Sequence, residues 1–534
     1  MISTFLPALL LLAATLWFAW RRSLTYLHLF QQEEYDGRRF LRWLVTSISF
    51  DRKLTVALLP LGLAELALAG SVRGWIFHVA AAGLFATTAA FEADPRQASK
   101  KKLALTARAT RILAIGLGLT ALVAIAAALV PWTLVSIVVV QVVPLSLVLA
   151  NLLLAPFEQR IQKRYWTEAN AKLARLKPTV IGVTGSFGKT SVKHILGHVL
   201  DMAAPTLITP GSVNTPMGVS RIIRERLDAR HRYFVVEMGA YGVGSIARLC
   251  RLAPPDFGLI TAIGLAHYER FKSVDTVART KLELADAVVA RNGKVVMAEQ
   301  VLDTPTARAY AQAHRAALVI CGAAPEAAVK ITAIRQERDG IVTELLWQGR
   351  PYTLRAPLFG EHHGVNIALA FAAASLLGVD PERVVVALRS VPQISHRLEV
   401  KPQAEGWTLI DDSYNSNPVG FAGALGVMDL LRGEGGRRLL ITPGMVELGA
   451  AHDLEHGRIG ALAGKHVDVL LPVRPDRIAS FVESFEREAG PGGKVVPCGD
   501  LDAALAWVRS NVNRNDVVLI ENDLPDLYER RLRL

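Results

Sequence analysis

The chain has 534 residues, which is too long for one domain and predicts two or three folded units. Hydrophobic residues make up 51% and charged residues 20%, with a net charge of +12, so the chain is more apolar than an ordinary soluble enzyme of this size. Three widely spaced cysteines exclude a disulfide framework and a zinc site, and no aromatic-interleaved basic patch is present, so we expect no nucleic-acid partner.

The apolar residues are concentrated near the amino terminus. They form five runs, each close to the roughly 20 residues that a helix needs to cross a membrane, at about 4–20, 54–70, 75–91, 112–130 and 133–156. The runs predict an all-α transmembrane domain of about five helices over residues 1–157. Two alternatives stay open: a cleaved signal peptide for the first run, and buried helices of a soluble domain for the second and third, which contain Glu65 and His78.

Basic residues are distributed unevenly between the loops that join these runs. The segments 21–53 and 92–111 carry clusters of Arg and Lys, whereas the short alternate loops hold only Arg73. The positive-inside rule therefore predicts an outer amino terminus and a multi-pass inner-membrane location, with everything after residue 157 in the cytoplasm. The lipid bilayer is an expected partner, and the basic loops would face its anionic headgroups.

A basic, helical-looking linker over 158–177 precedes a strand, a glycine loop and the start of a helix. The loop consists of Gly185, Ser186, Phe187, Gly188, Lys189, Thr190 and Ser191. Its backbone N–H groups and the following helix N-terminus suit a phosphate. We expect Lys189 to reach the terminal phosphates of ATP and the Thr190 hydroxyl to hold Mg²⁺. An unliganded glycine turn is the alternative, which the flanking strand and helix disfavour.

This loop is shorter than the usual phosphate loop, because only two residues separate Gly185 from Gly188. The Thr-Gly-x-x-Gly-Lys-Thr form resembles that of the Mur ligases, which add amino acids to peptidoglycan precursors, and of their folylpolyglutamate, cyanophycin and poly-glutamate relatives. The resemblance covers about residues 178–465 and then weakens. It implies an ATP-dependent, ADP-forming ligase that joins a carboxylate to an amine through an acyl-phosphate.

Three further segments follow in the order found in that family. Glu237 ends a strand that resembles the one carrying the magnesium-binding glutamate, and a carboxylate beside a phosphate loop suits a hard cation. His267 follows a segment that resembles the strand before the family's metal-contacting histidine. Lys281 occupies the position of the lysine that becomes carbamoylated and helps to place a second Mg²⁺. An ordinary loop histidine and a solvated helix lysine are the alternatives.

Later matches imply nucleotide and substrate contacts. By resemblance, Asn366 lies near the nucleotide, and Arg397 belongs to the basic element that precedes the last domain. The run from Ile410 to Pro418 resembles the Asp-Asp-Ser-Tyr-Asn-Ala-Asn-Pro run of the branch that adds D-alanyl-D-alanine, the MurF type. The resemblance implies a nucleotide contact by Asp412 and substrate contacts by Asn214, Thr215, Tyr414, Asn415 and Asn417.

The predicted elements divide the part after the linker into two domains. Residues 178–396 are expected to form a central ATP-binding domain, with antiparallel strands within 299–356. From Trp407 onward strands and helices alternate, which implies a parallel sheet covered on both faces, in a Rossmann-like domain over 397–534. We therefore expect an α/β Mur-ligase fold of two domains, preceded by a helical membrane domain in place of the family's UDP-binding domain.

Two departures from the family leave the substrates open. Without a UDP-binding domain, the carboxylate substrate is either a lipid-linked or a UDP-linked muropeptide, and a poly-glutamate or cyanophycin-like product is an alternative. The last strand ends in Glu521-Asn522-Asp523, where the MurF branch has a Lys-Gly-Ser-Arg-like segment. This acidic loop favours an amine-rich acceptor, whether amino acid or dipeptide, over one with a free carboxylate, unless it is merely solvated charge. The rival from another class is a phosphate loop that gates a membrane transporter or a scaffold.

Overall fold

The computed structural model describes residues 2–46, 50–68, 74–97, 102–130, 132–264, 271, 273–414, 416–446 and 448–523. The described chain separates into two compact units. The first contains the residues up to Gln162, and the second runs from Lys163 to Asp523.

The first unit is helical. Its helices are α1 (Ile2–Gln32), α2 (Gly37–Thr46), α3 (Arg52–Ala67), α4 (Trp75–Phe91), α5 (Ala107–Ala128) and the first part of α6 (Ser136–Leu176). Helix α1 packs against α4 and α5. The rings of Phe18 and Phe85 meet edge to face with centroids 5.3 Å apart, which places aromatic packing at the centre of this contact.

A charged cluster lies inside this apolar unit. Arg22 in α1 pairs with Asp51 at 3.0 Å and with Glu92 at 3.3 Å, and all three side chains are almost completely buried. A buried cation is tolerated only when carboxylates and hydrogen bonds offset its desolvation, and the two acidic partners do this for Arg22. Glu65 and His78, the polar residues of the second and third apolar runs, also lie 3.8 Å apart.

The prediction of about five membrane spans and a multi-pass membrane location is wrong. By length and composition, two of the described helical segments could cross a membrane, Ala107–Ala128 and Thr133–Leu176. This is weak evidence, because the core helix of a soluble protein passes the same test. The second and third runs form helices of 16 and 17 residues, shorter than the roughly 20 that a span needs. The first run belongs to a helix that continues through the buried Arg22.

The second unit contains a nine-stranded sheet. Its strands are β1 (Thr179–Thr184), β2 (Thr206–Ile208), β3 (Tyr233–Glu237), β4 (Phe257–Ile260), β5 (Lys294–Ala298), β6 (Leu318–Gly322), β7 (Val329–Glu337), β8 (Gly340–Trp347) and β9 (Arg350–Ala356). Their order is β2-β3-β1-β4-β5-β6-β7-β8-β9. The sheet is parallel from β2 to β7, and β8 and β9 are antiparallel, which confirms the antiparallel strands predicted within 299–356.

Seven described helices accompany this sheet. They are α7 (Lys189–Asp201), α8 (Pro216–Arg226), α9 (Ser245–Leu252), α10 (Val274–Val289), α11 (Pro305–Ala313), α12 (His362–Leu376) and α13 (Pro381–Leu388). Strands β3 and β4 are buried along their whole length, and β1 over all but its first residue, as expected of parallel strands covered on both faces. Because these strands are parallel neighbours, their carboxyl ends meet at one edge of the sheet.

The second unit ends with a six-stranded sheet. Its strands are β10 (Glu399–Pro402), β11 (Thr408–Asp412), β12 (Arg438–Thr442), β13 (Val469–Pro472), β14 (Lys494–Val495) and β15 (Val517–Glu521), in the order β10-β11-β15-β12-β13-β14. The helices are α14 (Pro418–Leu431), α15 (His452–His466), α16 (Ala479–Ala489) and α17 (Leu501–Asn511). Two separate apolar clusters cover its faces. The predicted strand–helix alternation is confirmed, and an antiparallel edge strand, β10, is added.

Candidate active site

The glycine loop joins β1 to α7, as the sequence predicts. Gly185 has a φ of 153° and Gly188 a φ of 78°, values that favour glycine. A Cβ atom on Gly185 would lie 1.9 Å from Thr261 Oγ1, and one on Gly188 would lie 2.8 Å from Asn366 Oδ1. The two glycines therefore allow the loop to approach the end of β4 and the start of α12 more closely than any other residue would.

Lys189, the first residue of α7, folds back over this loop. Its Nζ donates to the carbonyl oxygens of Gly185 at 2.7 Å and Ser186 at 3.1 Å. Burial lowers the pKa of Lys189 to about 8, an effect that Glu237 opposes and Arg397 reinforces. A phosphate in the loop would replace two neutral carbonyl partners with charged oxygens, which form stronger hydrogen bonds with an ammonium group.

Glu237, at the end of β3, is the centre of a buried polar network. Its Oε2 accepts from Thr190 Oγ1 at 2.9 Å and from Lys193 Nζ at 3.0 Å, and its Oε1 accepts from Asn214 Nδ2 at 3.1 Å. Burial acts to raise the pKa of Glu237, but Lys193 and Lys189 outweigh it, so the pKa is lowered. The carboxylate is therefore ionised where it faces the Thr190 hydroxyl.

Thr190 and Glu237 thus place two oxygen atoms side by side next to the phosphate loop. Hydroxyl and carboxylate oxygens are the ligands that Mg²⁺ prefers, so the donor chemistry of this pair fits the cation predicted for it. His267, the third predicted ligand, lies outside the described residues, and its part in the site stays a prediction.

Lys281, the fourth predicted ligand, is a buried residue of α10 with 3% of its surface exposed. Burial lowers the pKa of Lys281 well below its usual range, and the charge of Lys189 acts in the same direction. No carboxylate of the described chain forms an ion pair with it. Burial therefore favours the neutral amine form of Lys281, and the buried position excludes the solvated lysine considered as an alternative.

Arg397 lies in the segment between α13 and β10, where the chain passes from the first sheet's domain to the second. Its guanidinium carbon lies 4.1 Å from the centre of the Tyr414 ring. Burial lowers the pKa of Arg397, and the charges of Tyr414, Asp412 and Glu237 oppose this shift. The charges of Glu237, at the end of β3, and of Asp412, at the end of β11, therefore both act on Arg397.

The residues on either side of Arg397 have strained backbones. His396 has a φ of 60° and Leu398 a φ of 50°, both in the left-handed region that non-glycine residues rarely adopt. The Leu398 N–H donates to Asp412 Oδ1 at 3.2 Å, which holds this conformation in place. Strain of this kind persists where the surrounding structure fixes a side chain, here that of Arg397.

The remaining residues predicted in the loop have defined contacts. Ser186 Oγ accepts from the Gly264 N–H at 3.0 Å, which ties the loop to the segment after β4. The Phe187 carbonyl oxygen accepts from Thr261 Oγ1. Ser191 is buried in the first turn of α7. Asn366 is buried in α12, where its amide faces Gly188.

Of the residues predicted to contact substrate, Asn214 belongs to the Glu237 network. Thr215 and Asn417 are helix caps, whose side chains accept from the N–H groups of Gly218 and Gly420 at the starts of α8 and α14. Tyr414 is half exposed. Asn415 lies outside the described residues.

The carboxyl-terminal segment differs from the solvated acidic loop considered above. Glu521 and Asn522 are buried, and the Asn522 amide donates to the Gly444 carbonyl oxygen at 2.7 Å. The Asp523 N–H donates to the Ser413 carbonyl oxygen at 2.8 Å. The Glu521 carboxyl is therefore not exposed to an incoming amine substrate. The residues from 524 onward lie outside the described chain.

Three residues of the Glu237 network do not appear among the sequence predictions. Lys193 follows Lys189 by one helical turn, a spacing that could have indicated it. Tyr241 donates to Asn214 Oδ1 at 2.7 Å, and Thr209 Oγ1 accepts from the Glu237 N–H at 3.1 Å. The last two come from separate loops, and no sequence pattern links them to Glu237.

A second group of possible metal ligands consists of His396, just before β10, Glu399 in β10 and Asp411 in β11. Lys401 Nζ already neutralises its carboxylates, at 2.8 Å from Glu399 and 3.1 Å from Asp411. We therefore assign no cation to this group.

A glycine loop of phosphate-loop form at the edge of a parallel sheet, followed by a Rossmann-like domain, defines a two-domain α/β protein of the phosphate-loop class. Residues 183–374 match the Mur ligase middle domain, and residues 396–521 match the Mur ligase glutamate ligase domain. The chain belongs to the Mur ligase family.

Several relatives are ligases of one kind. The chain is 33% identical over 390 residues to the UDP-N-acetylmuramoyl-tripeptide–D-alanyl-D-alanine ligase of Mycobacterium tuberculosis, covering 66% of this chain and 72% of the relative. It is 26% identical over 364 residues to the Bacillus subtilis enzyme of the same name, covering 66% and 75%. A crystal structure of MurF from Acinetobacter baumannii superimposes with a TM-score of 0.58 at 26% identity, covering 68% of this chain and 77% of that one.

Proposed function

We propose that the chain is an ATP-dependent, ADP-forming ligase that joins a carboxylate to an amine in the synthesis of a peptidoglycan precursor. The observation that carries the proposal is the convergence of the Lys189 loop, the Thr190–Glu237 pair and the buried Lys281 at one sheet edge. From the names of the relatives, we assign UDP-N-acetylmuramoyl-tripeptide as the carboxylate and D-alanyl-D-alanine as the amine.

In this proposal the chain's own groups hold the nucleotide. The N–H groups at the start of α7 and the Lys189 ammonium bind the terminal phosphates of ATP. Thr190 and Glu237 would hold Mg²⁺, which supplies charge neutralisation at those phosphates. Arg397 and Asp412 reach the nucleotide from the second sheet, so that bringing the two domains together completes the site and keeps water out.

The reaction then has two balanced steps. An oxygen of the substrate carboxylate attacks the γ-phosphorus, the bond to the β-phosphate oxygen breaks, and ADP leaves with an acyl-phosphate formed. The amine attacks the acyl carbon, phosphate leaves, and the new amide nitrogen loses one proton. Positioning and charge neutralisation by the loop and Arg397 supply most of the effect, because phosphoryl transfer asks little covalent chemistry of a protein.

Lys281 is proposed to be carbamoylated. Only a neutral amine attacks CO₂, and burial without an acidic partner favours the neutral form of Lys281. A bond from Nζ to the CO₂ carbon, with loss of one proton, would give an anion able to help hold a cation. The proposal predicts that bicarbonate depletion lowers activity and that short carboxylates partly restore the Lys281→Ala variant. Full activity of Lys281→Ala without any added carboxylate would contradict the role.

ADP release from the full-length chain tests the proposed function. With UDP-N-acetylmuramoyl-tripeptide, D-alanyl-D-alanine, ATP and Mg²⁺ all present, we expect ADP and an amide product by mass spectrometry, and neither product when either substrate is omitted. Lys189→Ala should reduce turnover by about 10²–10³-fold, whereas Lys465→Ala, on an exposed lysine of the second sheet's domain, should leave it unchanged. ADP release that ignores both substrates would point instead to a gating ATPase.

A further inference from the structure

Two buried carboxyl groups face each other at the end of the second sheet. Asp412 closes β11 and Glu521 closes β15, and the two residues are direct neighbours in the parallel register. Glu521 has no exposed surface, and Asp412 has 9%. The carboxyl ends of parallel strands are where ligands bind in folds of this kind, so the pair lies at the edge of the second sheet to which the proposed function assigns the Asp412–nucleotide contact.

The surroundings of Glu521 favour a proton on the pair. Ser416 Oγ donates to Glu521 Oε1 at 2.5 Å. Glu521 Oε2 is buried, and none of the described groups donates to it. Its neighbour in the strand register is the Asp412 carboxyl, and the two can share a hydrogen bond only with a proton between them. Two ionised carboxylates cannot form a hydrogen bond, because both only accept.

The surroundings decide which residue carries that proton. The Leu398 N–H donates to Asp412 at 3.2 Å, and this hydrogen bond and the positive charge of Arg397 both favour the ionised form of Asp412. The negative charge of Asp411 opposes that ionisation. Among the described residues, no cation acts on Glu521. Burial raises the pKa of Asp412 to about 6, and burial with the Asp412 charge raises that of Glu521 much further. At neutral pH the proton therefore belongs to Glu521.

We propose that Glu521 is a positioning residue, a neutral carboxylic acid that accepts from Ser416 and donates to Asp412, fixing the Asp412 carboxylate toward Arg397. The assignment of Asp412 to the nucleotide rests on the proposed function, whereas the shared proton does not. Glu521 completes the set of donors around Asp412, together with the Leu398 N–H, so that a single negative charge faces the guanidinium.

Two substitutions separate positioning from simple packing. In Glu521→Gln, the amide oxygen can accept from Ser416 and the amide nitrogen can donate to Asp412, so both hydrogen bonds are kept. Glu521→Met keeps the length of the side chain and loses both. With ADP and Mg²⁺ as the probe in calorimetry, we expect near wild-type affinity for Glu521→Gln and affinity weaker by roughly tenfold or more for Glu521→Met. Wild-type affinity in Glu521→Met would overturn the positioning role.

The proton itself is tested without any ligand. Infrared spectra of the wild type at neutral pH should contain the C=O band of a protonated carboxylic acid that Glu521→Gln lacks. Since the folded pair holds its proton more tightly than the unfolded chain, its contribution to stability is present in acid and lost as the pH rises through the folded pKa. The melting temperature of Glu521→Gln should therefore gain on the wild type as the pH rises above about 4.

The two sets of measurements fail separately. If the wild type binds no ADP, the proposed function fails, and the infrared band and the pH series still decide whether Glu521 holds the proton. If the band persists in Glu521→Gln and the two melting curves stay parallel across the pH series, the proton lies elsewhere and the inference is wrong.

Discussion

Replacing Lys193 tests the network that supports the candidate metal pair. Lys193 Nζ lies 3.0 Å from Glu237 Oε2, and the two side chains are 0% and 1% exposed. Lys193→Met keeps the length of the side chain but leaves the Glu237 carboxylate with only Thr190 and Asn214 as side-chain donors. Breaking a buried ion pair by removing one partner costs about 3–5 kcal/mol. Because two donors remain, we expect the lower end of that range.

In the central domain, a loss of about 3 kcal/mol lowers the melting temperature by roughly 6–12 °C. Thermal unfolding of the full-length chain, followed by tryptophan fluorescence without divalent metal, measures this. Arg221→Met is the matched control, since the Arg221–Glu225 pair is 72% and 51% exposed and is worth less than about 1 kcal/mol. The double variant Lys193→Met with Glu237→Gln should recover most of the loss. If Lys193→Met melts no lower than the control, the reasoning about the network is refuted.

Three further predictions concern the phosphate loop and its surroundings. Lys189→Ala should reduce kcat by about 10²–10³-fold without lowering the melting temperature, and a normal kcat in a steady-state assay would contradict its role. Lys281→Met should raise the melting temperature near neutral pH while abolishing ligation. Because burial lowers the pKa of Lys281, the unfolded chain holds this proton more tightly than the folded one, so this gain should shrink toward about pH 10.4, and a constant gain would be contrary evidence. Gly188→Ala, with φ of 78° and Asn366 Oδ1 2.8 Å from the new Cβ, should destabilise the loop by about 1–2 kcal/mol and weaken ADP binding in calorimetry.

The second sheet was predictable because local pattern and tertiary structure agree there. The alternation of apolar strands and amphipathic helices places β12 and β15 within a residue of their predicted ends. Strand β10 was not predicted. Two of its four residues are charged, the last is Pro402, and it pairs with β11 alone at the edge of the sheet. A short edge strand gains its structure from its neighbour rather than from its own pattern.

The helical unit shows where composition misleads. A run of apolar residues suits a helix packed on other helices as well as one that crosses a membrane. The distinguishing contacts join residues distant in sequence, as in the buried Arg22 cluster with Asp51 and Glu92. The loop charges that gave the predicted orientation carry no information about such packing.

The candidate site divides in the same way. Lys189 and Thr190 could be predicted, because a strand, a loop and a helix in succession fix their positions, and Glu237 could be predicted from its resemblance to the family's strand-end glutamate. The contacts of Glu237 with Asn214 and of Asp412 with Glu521 depend on which strands and loops become neighbours. Strands β11 and β15 are separated in sequence by most of the domain, so local sequence patterns could not predict that they pair or in which register.

The fate of the carboxylate oxygen tests the central claim most directly. The substrate carboxylate is labelled with a heavy oxygen isotope, and the phosphate released during ligation is weighed by mass spectrometry. An acyl-phosphate transfers one labelled oxygen to phosphate when the amine displaces it, so we predict phosphate heavier by one label. Unlabelled phosphate, released together with a correctly formed amide, would contradict the proposed mechanism.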